Sequence, residues 1–305
     1  MFSRRHPFLF SFLVFSALVS VTAIAVSLLA YLGTRDRGYG GFGSIGGDKL
    51  GIVDISGVIT QSRDVVDSLR RFREDESIKA IILRIDSPGG VVGPAQEIYR
   101  EVERTVETKK VIASMGSVAA SGGYYVAAGA DGIIANPGTI TGSIGVIMEY
   151  TNVKELLDKI GLVPVVVKSG EMKDVGSPVR PMTDQDRQFL QDFVDKLHRQ
   201  FVAAIAKGRG MDVKAVEELA DGRILTGEEA KTLGLVDRIG NLEDAISWTG
   251  QLAGIDGRPS VVYAPEKKLS FLSSLADSLF RGWKPDGGSS RVTASYRYAP
   301  IDQHR

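Results

Sequence analysis

The chain has 305 residues, its 37 lysines and arginines balance 37 aspartates and glutamates, and 43% of its residues are apolar. This composition excludes the basic excess of nucleic-acid-binding proteins, so no nucleic-acid partner is expected, and it is too apolar for a disordered chain. Because there is no cysteine, disulfides, thiolate metal sites and cysteine nucleophiles are excluded. Of the three histidines, His6 and His304 lie in terminal segments. Only His198 could serve a serine nucleophile as a histidine base, which favours another kind of base.

The N-terminal segment is strongly apolar. Its 25 residues from Phe8 to Leu32 carry no charge, and as a helix rising about 1.5 Å per residue they exceed the ~30 Å hydrocarbon core of a bilayer. The alternative is a cleaved signal peptide, with Arg4 and Arg5 as its basic region and residues 23–25 as its cleavage site. The apolar stretch is longer than the apolar region of a typical signal peptide. We therefore predict a short tail over residues 1–7 and one transmembrane helix over 8–32. Basic residues on both sides leave the orientation open.

A glycine-rich linker follows over residues 33–48, and the folded domain is predicted over residues 49–265. Within the linker, Gly38–Gly47 reads GYGGFGSIGG, a composition typical of flexible tethers. The first half of the domain alternates apolar runs with helical patterns. The runs lie at 51–59, 80–85 and 111–115, and the helices at 65–72 and 94–106. Strands that alternate with helices predict an α/β fold built from right-handed βαβ units.

The second half begins with a turn-rich, β-leaning region over residues 132–167. The strongest helical pattern follows, capped by Thr183 with Asp186 three residues later and ended by Gly208. Shorter helices are predicted at 212–219, 227–233 and 242–252. We expect residues 266–305 to form a helix and, beyond Pro285, a polar tail without fixed structure.

Two loops are candidates for chemistry, and the first is Asp86-Ser87-Pro88-Gly89-Gly90. Proline cannot extend a strand ladder, and the glycines allow backbone conformations that point an N–H outward. The loop could therefore supply an oxyanion donor. A tight turn before the next helix is the alternative, and it is the commoner role for such a sequence taken alone.

The second loop, Gly116–Tyr125, contains the best nucleophile candidate, Ser121. Small residues on both sides of Ser121 would let a substrate backbone approach, and the start of a helix would present N–H groups to a developing oxyanion. The structural alternative is a serine that caps the short apolar helix after it.

A serine nucleophile needs a base, and a lysine is one of two remaining choices, a carboxylate being the other. Burial disfavours an ammonium ion, so a lysine in an apolar pocket can accept the serine proton. Lys168 and Lys173 lie close together in the stretch 165–174. Composition does not choose between them, and an exposed loop charge is the alternative for either.

Five motifs together resemble a known family, the short single-domain form of signal peptide peptidase A, which belongs to peptidase family S49. They are DSPGG at 86–90, MGSVAASGGYY at 115–125, TGSIGV at 141–146, KSGEMKD at 168–174, and KGRGM at 207–211 with DGRILTGEEA at 221–230. The resemblance spans about residues 49–250, and five motifs in order are far more specific than any one of them.

The resemblance implies a fold and a set of site residues. The fold is a Clp protease/crotonase-like α/β core of repeated ββα units in a superhelix, preceded by one transmembrane helix. Ser121 matches the nucleophile, Lys173 the general base, and Ser143 the serine that orients the lysine. The Gly90 and Gly122 N–H groups match the oxyanion hole. The resemblance implies neither a cofactor nor a metal.

The resemblance also implies a function and a location. The expected activity is a serine endopeptidase that degrades signal peptides left in the membrane after preprotein processing, along with other apolar peptides. The expected arrangement is a ring-forming homo-oligomer, attached by a single span to the inner (plasma) membrane with its catalytic domain extracytoplasmic.

Three other interpretations stay open at this point. A membrane-anchored Clp-class protease of the stomatin-associated type has a similar nucleophile motif and different substrates. A crotonase-like acyl-CoA enzyme shares the fold and the glycine loop without needing a Ser/Lys pair. A non-catalytic scaffold would need none of these side chains.

Overall fold

A computed structural model describes Phe8, residues 15–16, 18–22, 24 and 27, then residues 48–265 and 294–297. The chain divides into two compact units, Met1–Ile45 and Gly46–Arg305. In the first unit each described residue is helical, and none of the helices in the described part of the chain is long and apolar enough to cross a membrane. The predicted tail 1–7, most of the predicted span 8–32, the linker up to residue 47 and the predicted C-terminal helix lie outside the described residues. They stay predictions.

The second unit alternates strands and helices as the apolar pattern predicts. Its strands are β1 (Lys49–Ser56), β2 (Ile78–Ser87), β3 (Gly89–Val91), β4 (Lys110–Ala119), β5 (Gly132–Ala135), β6 (Thr141–Gly142), β7 (Ile147–Met148), β8 (Ile224–Leu225), β9 (Arg238–Ile239), β10 (Ser260–Tyr263) and β11 (Ala294–Arg297). Its α-helices are α1 (Arg63–Glu74), α2 (Val92–Val106), α3 (Gly122–Ala127), α4 (Lys154–Lys159), α5 (Asp184–Arg209), α6 (Val213–Leu219), α7 (Gly227–Thr232) and α8 (Leu242–Leu252). A 3-10 helix covers Glu171–Asp174.

The main sheet has six strands in the order β10-β1-β2-β4-β5-β9, and neighbouring strands run parallel. The central strands β2 and β4 are apolar on both faces, as expected for a parallel sheet that helices cover on both sides. Residues of α1, α2 and α3 pack on one face and Ile246 of α8 on the other. The α/β class with a mostly parallel sheet is therefore confirmed, whereas the repeated ββα superhelix stays a prediction.

The long helix α5 begins as predicted and ends later than predicted. Thr183 accepts a hydrogen bond from the Asp186 N–H, and the Asp186 carboxylate accepts one from the Thr183 N–H. Gly208 does not end the helix. A Cβ at this position would lie 1.8 Å from the carbonyl oxygen of Ala128, so glycine allows α5 to pack closely against the end of α3. The helix ends at Gly210, which has the left-handed φ of +61° that favours glycine.

Two predictions about irregular regions are wrong in part. The region 132–167 was expected to lean towards β structure, yet it contains α4 and, from 162 to 168, no regular structure. The valines of that stretch do not pack against a neighbouring strand, since Val163, Val165 and Val167 are 83%, 85% and 94% exposed. The tail beyond Pro285 was expected to lack structure, but Ala294–Arg297 is a strand between β3 and β7.

Candidate active site

The two candidate loops meet at one edge of the main sheet. They follow the neighbouring parallel strands β2 and β4, in which Ser87 lies opposite Ala119. The Ala120 N–H donates to the Ser87 carbonyl over 3.1 Å. A Cβ at Gly123 would lie 2.9 Å from the same Ser87 oxygen. The small residues on both loops therefore allow one backbone to pack directly on the other.

Ser121 has an unusual backbone and an unpaired hydroxyl. Its φ is +51° with ψ −115°, a region that residues with a side chain rarely adopt. The conformation is held by two hydrogen bonds, since Ser121 N–H donates to the Gly142 carbonyl over 2.9 Å and the Ser121 carbonyl accepts from Tyr125 N–H over 2.8 Å.

The Ser121 hydroxyl does not cap the short helix α3. It makes no side-chain cap bond, and its Oγ is fully buried without a hydrogen-bond partner among the described residues. A buried hydroxyl without a partner costs free energy, and backbone strain of this kind collects at functional sites. Both observations favour a reactive serine over the structural alternative.

The glycines proposed as oxyanion donors lie on two elements that contact each other: Gly90 is in β3, and Gly122 begins α3 directly after Ser121. A Cβ at Gly90 would lie 2.1 Å from the Ile59 carbonyl oxygen, so only glycine fits. Val91 N–H donates to that oxygen and Gly89 carbonyl accepts from Ile59 N–H, so these groups face Ile59. Because successive strand residues alternate in direction, the Gly90 N–H faces the opposite edge of β3. The Gly122 N–H has no acceptor in the described part of the chain.

Ser143 lies next to the nucleophile loop, in the motif TGSIGV. The preceding Gly142 carbonyl is the acceptor for Ser121 N–H, and Thr141 Oγ1 donates to the Ala119 carbonyl over 2.7 Å. Ser143 has a φ of +50°, is 9% exposed, and donates its N–H to the Arg223 carbonyl over 2.7 Å. The structure thus brings Ser143 and Ser121 together through shared backbone contacts.

Lys173 lies on the 3-10 helix, in a part of the chain with few packing contacts. No residue of that helix is buried, and Lys173 makes no hydrogen bond with Ser121 or Ser143. Its Nζ has no hydrogen bond or ion pair with any described residue. The segment that carries Lys173 includes α4, which also buries no residue. The structure therefore joins the loops of Ser121 and Ser143 through the bond from the Ser121 N–H to the Gly142 carbonyl, and it shows no bond between Lys173 and either serine among the described residues.

The other lysine and the histidine are placed differently. Lys168 Nζ donates to Asp174 Oδ1 over 2.7 Å and to the Glu171 carbonyl over 3.1 Å. His198 lies on α5, where its Nε2 is buried without a partner among the described residues, and it makes no hydrogen bond with Ser121.

An ion cluster beside Lys173 was not predicted. Arg180 bonds the carboxylates of Asp174 and Asp186, and its guanidinium lowers the pKa of Asp174 to about 2, with Lys168 as a further cause. The Arg180 hydrogen bond likewise holds the pKa of Asp186 well below its usual range, and Asp186 raises that of Arg180. These residues follow no helix or strand period, so the sequence carries no signal that would join them.

The arrangement defines a class of site. At the carboxyl edge of a parallel sheet lies a buried serine hydroxyl, and neither this hydroxyl nor the neighbouring Gly122 N–H has a hydrogen-bond partner among the described residues. Such parts suit acyl transfer to serine once a base is supplied.

Comparison with known proteins agrees with that class. The family profile described as Peptidase family S49 matches residues 103–256, and the Clp protease profile matches residues 51–140. A Synechocystis protein that bears the name of a protease is 44% identical over 209 residues, which cover 68% of this chain and 76% of that protein. A protein of Enterococcus faecium named as signal peptide peptidase SppA is 40% identical over 60% of this chain and 54% of its own length. Serine protease SPPA, chloroplastic, of Arabidopsis thaliana is 35% identical over 69% of this chain but only 33% of its own length.

The chain belongs to peptidase family S49 and is a serine-type peptidase, related to proteins that bear the names signal peptide peptidase SppA and serine protease SPPA.

Proposed function

We propose that the chain is an endopeptidase with a Ser/Lys dyad, in which Ser121 is the nucleophile and Lys173 the general base. Ser121 Oγ attacks the scissile carbonyl carbon as the Lys173 amine takes its proton. The Gly90 and Gly122 N–H groups stabilise the oxyanion, and Ser143 orients the lysine. Collapse of the resulting tetrahedral intermediate breaks the C–N bond of the peptide, and the Lys173 ammonium protonates the leaving amine. Water then hydrolyses the acyl-enzyme by the same route.

The observation that carries this proposal is the state of the Ser121 hydroxyl. It is buried, unpaired among the described residues, and held on a strained backbone by the Gly142 carbonyl. A capping or packing serine would form a hydrogen bond instead, because leaving a buried hydroxyl unpaired costs about 1–3 kcal/mol.

The contacts of the two lysines support Lys173 as the base. The Lys168 amine is held by the Asp174 carboxylate at 2.7 Å, so this contact directs it towards Asp174 rather than towards a serine hydroxyl. The Lys173 amine has no such partner in the described part of the chain.

The edge of β3 supports an extended peptide as the substrate. Strand β11 pairs antiparallel with β3, with Tyr296 opposite Gly90, so this edge accepts a backbone in extended form. A substrate strand in the same place would have its carbonyls beside the Gly90 N–H. Among such peptides we propose signal peptides left in the membrane, and other apolar segments, as the substrates.

We further propose a membrane-anchored oligomer. Residues 8–32 would form a single span in the inner (plasma) membrane, residues 33–48 a tether, and residues 49–265 an extracytoplasmic peptidase domain. The exposed valines Val163, Val165 and Val167 support self-association into a ring, because so many exposed apolar side chains favour burial against a partner.

The dyad is tested with a fluorophosphonate probe on the full-length protein in detergent. We expect one labelled peptide containing Ser121, no labelling of Ser121→Ala, loss of labelling in Lys173→Ala, and normal labelling of the control Lys168→Ala. Normal labelling of Lys173→Ala together with loss of labelling in Lys168→Ala would show that Lys168, and not Lys173, is the base.

The substrate is tested by comparing a signal peptide inserted in lipid vesicles with a dissolved peptide. Deletion of residues 1–47 should slow cleavage of the inserted peptide far more than cleavage of the dissolved one, because the anchor raises the effective concentration at the membrane. Equal slowing of both would remove the membrane-substrate part of the proposal and leave the dyad untouched.

A further inference from the structure

The side chain of Arg180 links the turn that carries Lys173 to helix α5. Arg180 Nε donates to Asp174 Oδ2 over 2.9 Å, and Nη2 donates to the Asp174 carbonyl over 3.1 Å and to Asp174 Oδ1 over 3.2 Å. The same guanidinium donates from Nη2 to Asp186 Oδ1 over 3.0 Å and from Nη1 to Asp186 Oδ2. Arg180 thus links the residue after Lys173 to the first turn of α5.

The helix end of this link is firmly held. Asp186 is the N3 residue of α5 and takes part in the capping box with Thr183. The side chains of Asp174, Asp186 and Arg180 are 12%, 6% and 27% exposed, so the bonds are partly shielded from water. The 3-10 helix itself buries no residue. Its attachment therefore depends on charged contacts rather than on an apolar core.

The cluster also occupies the carboxylate of Asp174, the residue that follows Lys173 in the sequence. Both oxygens of Asp174 already accept hydrogen bonds, Oδ1 from Lys168 and Arg180 and Oδ2 from Arg180. An unoccupied Asp174 carboxylate would offer the adjacent Lys173 amine an ion pair, and that pair would draw the amine towards Asp174 and away from the Ser121 hydroxyl. Arg180 removes this competitor while fixing the backbone of the turn.

We propose that Arg180 is a positioning residue, which fixes the Lys173 turn on the first turn of α5 and occupies the carboxylate that would otherwise pair with the Lys173 amine. The inference rests on Lys173 being the base in the proposed function. Arg180 touches neither the substrate nor the proton that moves. It acts only through the position of Lys173 and the freedom of its amine from Asp174.

The first test compares Arg180→Gln with Arg209→Gln in the full-length protein. Arg209 is a matched control, because it lies at the other end of α5 and bonds Asp237 and the Gly234 carbonyl with a side chain that is 7% exposed. We expect Arg180→Gln to lower kcat per folded molecule about ten- to a hundredfold with KM within about twofold, since small misplacements of a catalytic group cost that much. Arg180→Lys keeps the positive charge but cannot bond two carboxylates at once as a guanidinium does, so it should recover only part of the lost kcat. Arg209→Gln should lower the melting temperature and leave kcat per folded molecule unchanged.

The second test is a double-mutant cycle with Lys173→Ala, read from the rate of fluorophosphonate labelling at alkaline pH. If Arg180 acts through Lys173, adding Arg180→Gln to Lys173→Ala lowers the residual rate no further. An equal fold-loss in both backgrounds would overturn the proposal, as would Arg180→Gln with unchanged kcat while Lys173→Ala is inactive. That last result leaves the dyad standing, whereas full activity of Lys173→Ala would overturn the dyad and this inference together.

Discussion

Single residues at this site combine strain with restricted space. Ser121 and Ser143 both have positive φ values, +51° and +50°, and each is held there by a backbone hydrogen bond to a neighbouring loop. A side chain in this region costs about 1–2 kcal/mol relative to glycine. The surrounding sheet edge offsets that cost, so the strain indicates a conformation kept for its chemistry.

This strain predicts opposite effects of substitution on stability and activity. Ser121→Gly should be inactive and more stable than Ser121→Ala by about 1–2 kcal/mol, because only glycine relieves the positive φ. Urea denaturation of both variants checks this. Equal stability of the two would mean that the backbone at residue 121 relaxes without strain.

Gly90 offers a second prediction, with Gly93 as its control. A Cβ at Gly90 would lie 2.1 Å from a backbone oxygen, whereas a Cβ at Gly93 in α2 has no atom within 4 Å. Gly90→Ala should therefore displace the loop and abolish activity. Gly93→Ala should leave activity intact and stabilise the protein by up to about 1 kcal/mol through helix propensity. Peptidase assays and thermal unfolding of the pair measure both effects, and an active Gly90→Ala would contradict the oxyanion assignment.

At the scale of elements, the strands and helices that depend on local sequence patterns were predicted correctly. The contacts between residues far apart in the sequence were not predicted. The strands before Asp86 and Gly116, and helix α5 with its Thr183 cap, follow from apolar periodicity and capping chemistry, which are local. The link from Asp174 through Arg180 to Asp186 joins a 3-10 helix to an α-helix without any period. Likewise, the positive φ of Ser121 depends on its hydrogen bond to the Gly142 carbonyl, a contact between two loops that no sequence pattern encodes.

The stability of the Asp174–Arg180–Asp186 cluster and the catalytic activity should depend on pH in different ranges. Because the pKa of Asp174 is lowered from 3.8 to about 2, the cluster's contribution is fully present above pH 3.8 and is lost as pH falls towards about 2. Activity should instead rise from neutral to alkaline pH, as the base loses its proton. The hydrogen-exchange protection factors of residues 168–186, in which the faster intrinsic exchange at higher pH is divided out, should stay constant from about pH 5 upwards while kcat increases. Protection factors that rise in parallel with kcat would assign the pH effect to folding of the turn.

At the scale of the whole molecule, strand β11 lies along the loop that carries one of the proposed oxyanion donors. Strand β11 pairs with β3 on the edge that the Gly90 N–H faces, and with β7 on its other side. The polar composition of the tail predicted no structure, since four residues gain order only from the two strands that flank them. The tail strand thus occupies the place proposed for an extended substrate, which makes the two competitors for one edge.

Removing the tail strand should therefore raise activity on dissolved peptides. Deletion of residues 294–305 frees the edge of β3, and we expect a lower KM with little change in kcat, because the tail competes for binding and takes no part in the acyl transfer. Deletion of residues 298–305 keeps the strand and is the matched control, with kinetics equal to those of the full chain. Adding a synthetic peptide of residues 290–299 to the shorter protein should restore the higher KM, since the peptide can pair with the same edge. If the two deletions gave the same KM, or if the peptide failed to compete, β11 would be a structural strand that substrates need not displace.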